Sequence, residues 1–249
     1  MSKTNVIIDL DGIPEELNIS TVSLTCNIET EINTVNIVKF MTRSEDIYIT
    51  PGKHFYNQVT LICHDIKNKN LNIKLFNNGS IQITGCKSVE HFTKIIVIVF
   101  ELLKEKKILF INNKIVTKTF VNDISKLNME SINKFKITLI NSNMITNVKI
   151  DRPLLYGTIK KLKTVPVEYD SCRHAAVRIY LNTGERDIAI FVFESGAIII
   201  TGAKNKHDLN ESFKFIIKTL YNNFRVIVKV NIDTFLQKPE IQKFLESYH

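Results

Sequence analysis

One stretch occurs twice in this 249-residue chain: FNNGSIQITGCK at residues 76 to 87 and FESGAIIITGAK at residues 193 to 204. At an offset of 117, seven of the twelve positions are identical, among them the phenylalanine, both glycines, the threonine and the closing lysine. Each copy follows a short aliphatic run and precedes a segment with helical spacing. Similarity at so long a period means a duplicated supersecondary unit, so the fold must accept two of them.

The elements around each copy can be read from pattern. LNIKLF (71 to 76) and SIQIT flank Asn77-Asn78-Gly79, a tight hairpin signal. NISTVSLTC (18 to 26) and VTLIC (59 to 63) read as strands, residues 32 to 43 as a short helix, and Pro51-Gly52 as a break. Ser88 offers an N-cap to a helix running to about Lys106. Phe92, Ile96, Val99, Phe100 and Leu103 fall on one face of it. The offset carries them to Leu209, Phe213, Ile216, Ile217 and Leu220, so both helices are predicted to face the core.

The likeness continues further along. KILFINNK (107 to 114) aligns with RVIVKVN (225 to 231), and TFVNDISKLNMES (119 to 131) resembles TFLQKPEIQKFLES (234 to 247) at an offset of 115. This predicts an extra strand and a terminal helix in each repeat. The second repeat opens with ITLINSNMITNVKI (137 to 150), after which Pro153 suits a first helical turn. The expected organisation is a lead-in at 1–16, a first repeat at 17–134 and a second at 135–249.

Side chains alternate faces along a strand, which sorts the repeats by parity. Ile73, Leu75, Ile81 and Ile83 share one face, and their partners are Ile190, Val192, Ile198 and Ile200. All eight are aliphatic, as expected of a face covered by helices. The other face carries Lys74, Phe76, Gln82 and Thr84 against Phe191, Phe193, Ile199 and Thr201. With few helices per repeat, that face is either left open to bind something or covered by the extra helices.

Bulk properties narrow the partner. Hydrophobic residues make up 44% and charged residues 23%, which suits a globular chain. A net charge of +8 favours an anionic partner, although a Lys- and Asn-rich composition from an AT-rich genome explains part of the excess. No apolar run reaches the roughly 20 residues of a membrane span, and acids interrupt the N-terminal stretch, so no membrane or secretory role is expected. Cys26, Cys63, Cys86 and Cys172 are scattered without a CxxC, which suits a reducing compartment. The Cys63-His64 and Cys172/His174 pairs are too few for a zinc site. No catalytic triad, P-loop or dinucleotide fingerprint is present, so neither an enzyme nor a cofactor is expected.

At these residues the chain resembles the TATA-box-binding protein family, whose two direct repeats each carry a signature of the form IF-x-SG-x-x-x-x-TGAK. FVFESGAIIITGAK matches it closely, KLFNNGSIQITGCK more loosely, and Arg173-His174-Ala175-Ala176-Val177 is similar to the family's RFAAV. The likeness covers roughly residues 17 to 106 and 135 to 222. It implies an α+β fold in which two direct repeats form a saddle-shaped antiparallel sheet with helices on its convex face. The concave face of the family lies on the minor groove and wedges phenylalanines between base steps.

Carried over residue by residue, the resemblance puts hairpin wedges at Phe76 and Phe193 and the other second-repeat wedge at His174. Its first-repeat counterpart falls near Phe55 or Tyr56. Groove-floor asparagines fall on Asn18 and Asn141, further groove contacts on Thr84, Phe191, Ile199 and Thr201, and phosphate contacts on Lys87 and Lys204. The chain departs from the family at Ser80, Ala197 and Tyr180, where basic residues belong, and at Lys74 and Gln82, where apolar contacts belong. The implied function is transcription initiation by binding and bending A·T-rich double-stranded promoter DNA as a monomer. The implied partners are a B-type general transcription factor and the RNA polymerase machinery. The implied location is the nucleus, or a viral factory or virion if the source is a large DNA virus. Two alternatives stay open: a protein-interaction scaffold with weak or lost DNA binding, and a sequence-indifferent DNA-binding protein.

Overall fold

A computed structural model describes residues 17–52, 55–64 and 70–229. The lead-in at 1–16 and the predicted terminal helix at 234–247 lie outside these residues. Two compact units divide between Asn141 and Ser142, with Asn18 grouped in the second. The division falls inside a strand.

In the first unit, β1 (Asn18–Ile28) leads into α1 (Thr34–Phe40), then β2 (Ile47–Ile49), β3 (Gln58–His64), β4 (Asn70–Phe76) and β5 (Ser80–Cys86). The antiparallel order is β2-β3-β4-β5-β1, with β8 (Ile132–Ile145) following beside β1. Helix α2 (Val89–Lys104) is capped by Ser88, whose side chain accepts from the His91 N–H. It packs on β5 with Phe92, Ile96, Val99, Phe100 and Leu103 all buried, as the spacing predicts.

The second unit repeats this plan. After β9 (Lys149–Ile150), α3 (Arg152–Lys160) starts at the Asp151 cap with proline in its first turn. Strands β10 (Val167–Glu168), β11 (Ala176–Asn182), β12 (Asp187–Phe193) and β13 (Ala197–Ala203) are antiparallel in that order. Helix α4 (Lys206–Asn222) packs on β12 and β13. Leu209, Ile216 and Leu220 are buried, whereas Phe213 and Ile217 are half-buried.

Both units bury the aliphatic parity completely. Ile73, Leu75, Ile81 and Ile83, and Ile190, Val192, Ile198 and Ile200, all have 0% exposure. At about 25 cal/mol per Å² of apolar surface, these two rows and their helices supply the main stabilisation of each unit.

The segments after each helix meet expectation in part: the extra strand of the first repeat is present, but it is paired with a second one. Residues 106–119 form a hairpin of β6 (Lys106–Ile111) and β7 (Lys114–Thr119), turning at Asn112 and Asn113 with φ of 51° and 59°. The helix expected over 119–131 is instead two 3-10 turns, Ile124–Lys126 and Met129–Ser131. Asp123 and Asn128 each cap one turn, so local side-chain bonds hold the backbone out of a longer helix. In the second repeat, α5 (Phe224–Ile227) and β14 (Val228–Lys229) stand where an extra strand is expected.

Candidate nucleic-acid interface

The repeated motif folds the same way in both units. Phe76 and Phe193 end β4 and β12, and each carbonyl accepts from the N–H of the turn glycine, Gly79 at 3.0 Å and Gly196 at 3.1 Å. Both glycines sit at positive φ, 81° and 85°. A Cβ on Gly79 would meet Ile28 O at 2.5 Å, and one on Gly196 would meet Thr146 O at 2.6 Å, so only glycine lets the neighbouring strand end approach. Both phenylalanines are thereby fixed at a hairpin end, on the parity opposite the core, and remain half-buried.

Cross-strand register assembles the open face of each unit. In the second unit, Arg178, Phe191 and Ile199 lie side by side, as do Tyr180, Ala189 and Thr201. Ala176 stands opposite Phe193 and leaves its ring room. The matching first-unit rows are Thr60, Lys74 and Gln82, and Ile62, Asn72 and Thr84. One face is thus apolar at its centre and the other polar at the same positions, as the substitutions at Lys74 and Gln82 predict. Thr84 Oγ1 and Ser23 Oγ are 3.0 Å apart, so the threonine is oriented by a neighbour that sequence reasoning missed.

His174 lies in a turn held by Asp170, whose carbonyl accepts from both the Arg173 and His174 N–H groups. Its half-buried ring stands against the Arg178 guanidinium, which in turn faces Glu168 at 3.8 Å. Tyr180 Oη donates to the same Glu168 carboxylate at 3.3 Å. Arg178 was not among the expected contacts. It occupies the same strand face as Tyr180, two residues earlier, so a cation is present near the place where the family arginine belongs. Phe55 and Tyr56 are 74% and 87% exposed in the turn entering β3.

A further asparagine stands beside the two expected on the groove floor. Asn18 Nδ2 donates to Asn143 Oδ1 at 3.2 Å. Asn141 lies on the same strand parity, and its carbonyl accepts from Ser20 Oγ at 3.1 Å. Asn143 was missed because Asn-Ser-Asn offers two candidates of equal parity, and only the partner strand distinguishes them.

Lys87 and Lys204 follow β5 and β13 and are exposed. The Lys204 N–H donates to Asp208 Oδ2 at 2.9 Å. Asp208, fully buried in the first turn of α4, also accepts from Arg186 Nη1 at 2.8 Å and Thr183 Oγ1 at 2.9 Å. On the hairpin itself, Glu194 accepts from Lys229 and Arg152, both at 3.0 Å. The Lys229 hydrogen bond and charge, followed by Arg152, hold the Glu194 carboxyl below its ordinary 4.5. A depressed carboxyl contributes stability above its unfolded-state value and loses it as pH falls through the folded value. Glu194→Gln should therefore flatten the acid limb of a urea midpoint measured from about pH 3 to 7; an unchanged limb would assign the pair no role.

Among the described residues, no group of three or more His, Cys, Asp or Glu side chains could hold a metal ion. No described helix is long and apolar enough to cross a membrane.

The sequence model of the family described as "Transcription factor TFIID (or TATA-binding protein, TBP)" matches residues 16–106 and 138–223. The chain is 34% identical over 208 residues to a protein of Acanthamoeba polyphaga mimivirus named "TATA-box-binding protein-like". That match covers 78% of this chain and 55% of the relative, so the chain spans about half the relative's length. Among solved structures the fold is similar to Methanococcus jannaschii TBP, with a TM-score of 0.53 at 17% identity, covering 83% of this chain and 99% of that one. Residues 107–137, which contain all of the β6–β7 hairpin but Lys106, lie between the two family matches.

Proposed function

The chain belongs to the TATA-binding-protein family, and from that premise we propose that it is a transcription initiation factor that binds and bends A·T-rich DNA from the minor groove. The observation that carries this reading is the open second-unit face, where Phe191, Phe193 and Ile199 stand accessible although the opposite parity is fully buried. The minor groove distinguishes A·T from G·C and little else, so an apolar floor with a few short polar groups suits it. Thr84, Thr201, Asn18, Asn141 and Asn143 supply those groups. Phe76 and Phe193 are the hairpin wedges, and unstacking a step costs a few kcal/mol that contact with the bent duplex offsets. His174 is the further second-unit wedge, and Phe55 or Tyr56 serves the first unit.

Family membership favours assembly on DNA with a B-type factor and RNA polymerase. The mimivirus relative favours action in a viral factory or the nucleus. The chain acts as a monomer on DNA and has no enzymatic role. Its repeats extend over 17–134 and 135–249.

The test is a titration of an end-labelled A·T-rich duplex at two salt concentrations, read for affinity and end-to-end distance. Tight binding with shortened ends supports the proposal. Salt-sensitive binding without bending would overturn it in favour of a sequence-indifferent binder, a reading that the polar Thr60, Lys74 and Gln82 row favours. Absence of binding at low salt would leave a protein scaffold. Within this reading Lys204 contacts phosphate, so Lys204→Ala should lower the slope of log affinity against log salt by about one. An unchanged slope would remove it from the interface.

A further inference from the structure

The β6–β7 hairpin is the one long ladder among the described residues that pairs with no third strand. Register puts Ile108 opposite Thr117 and Phe110 opposite Ile115, so Ile108, Phe110 and Ile115 share a face. They are 73%, 73% and 75% exposed. The other face holds Lys107, Leu109, Val116 and Lys118, all half-buried. Lys107 is anchored there, donating to Thr42 Oγ1 at 3.0 Å and pairing with Glu105 at 2.8 Å. The hairpin is therefore held to its unit by one face and presents an apolar strip with the other. Singly exposed aliphatics need no explanation, but three aligned large residues on one short ladder do.

Charge selects the occupant. Residues 106–119 contain Lys106, Lys107, Lys114 and Lys118 and no acid. No ion pair reaches Lys106, Lys114 or Lys118 among the described residues. A second copy would bring like charges together at the same edge, which disfavours self-pairing. A lipid surface would take the apolar strip and the lysines, yet hydrocarbon leaves the N–H and C=O groups of an open ladder edge unsatisfied. Duplex DNA would take the lysines and leave three large apolar side chains wet.

We infer that the hairpin is a docking site for an acidic protein segment, added as a third antiparallel or parallel strand whose apolar side chains cover Ile108, Phe110 and Ile115. Strand addition satisfies the open edge, alternation places aliphatic or aromatic residues on the strip, and the intervening acids reach the lysines. All of the hairpin but Lys106 lies outside both family matches, so this surface is separate from the proposed DNA contacts.

The experiment probes an array of eight-residue peptides, alternating Asp or Glu with Val, Ile, Leu or Phe, with the full labelled chain. Controls are same-composition peptides with the apolar residues blocked together, phosphatidylserine vesicles and an A·T-rich duplex. The comparison variant is Ile108→Thr/Phe110→Thr/Ile115→Thr, which keeps β-branched or strand-compatible residues at exposed positions and should leave thermal unfolding unchanged. Alternating acidic peptides should bind, with affinity reduced at least about tenfold in the triple variant and for blocked peptides. Binding that survives the triple substitution would overturn the inference. So would hairpin-dependent binding to vesicles or duplex in place of peptide, or no peptide above the blocked controls. DNA binding by the triple variant reports separately on the proposed function.

Discussion

Phe193→Ala should weaken binding to an A·T-rich duplex by about 10- to 100-fold, whereas Phe76→Ala should cost about tenfold or less. An aromatic side chain stacked on a base contributes about 1 to 3 kcal/mol, and each 1.4 kcal/mol is a factor of ten. The two rings occupy equivalent hairpin ends, so the wedge term itself should be similar. Their surroundings differ. Phe193 faces Ala176 across the ladder and shares its strand face with Phe191 and, through register, Ile199. Phe76 faces Gln58, whose amide donates to Thr60 Oγ1 at 3.1 Å, and its strand neighbour on the same face is Lys74. A polar floor holds water that a bent duplex must displace, which lowers the return on each wedge. Competition titrations of the two variants against one duplex decide the matter. Equal losses would refute the asymmetry, and no loss in either would remove the hairpins from the interface.

Asp208→Ala should destabilise the second unit by about 1 to 3 kcal/mol, because it removes a buried acceptor on which three donors converge, while Arg186 keeps its pair with Glu185 at 2.8 Å. Arg186 Nη1, Thr183 Oγ1 and the Lys204 N–H all converge on this carboxylate. The side chain also sits in the first turn of α4, where a negative charge opposes the positive end of the helix dipole. Urea unfolding followed by far-ultraviolet circular dichroism measures the loss, with Asp208→Asn as the variant that keeps an acceptor and loses the charge. A loss below about 1 kcal/mol would mean that solvent and the existing Glu185 pair hold Arg186 without the Asp208 carboxylate. The first repeat has His91 at the equivalent position, so the brace belongs to one unit only.

The parts of the fold that were legible in the sequence are those set by local period and turn chemistry. Alternation identified both buried parities, helical spacing identified α2 and most of the inward face of α4, and the glycine turns fixed both hairpins. The motif phenylalanines followed, because a hairpin end and a parity are enough to place them on the open face. What failed depended on non-local partners. Residues 107–131 lack a glycine at their turn; Asn112 and Asn113 adopt positive φ instead, so the hairpin signal was weaker than the apolar run beside it. Phe213 and Ile217 have the right spacing but lie at the margin of the packed face. Asn143 and Arg178 became visible only when neighbouring strands supplied Asn18, Glu168 and Phe191.

The cysteines carry a practical consequence. Cys26, Cys63 and Cys86 are buried, and burial pushes the Cys26 thiol up to about 12. Thiolate is the reactive form, so these positions resist alkylation while the protein is folded. Cys172 is exposed, two residues before His174. A maleimide dye should therefore attach at one place in the native chain, giving the unmodified sequence its own fluorescent reporter beside the proposed second-unit wedge.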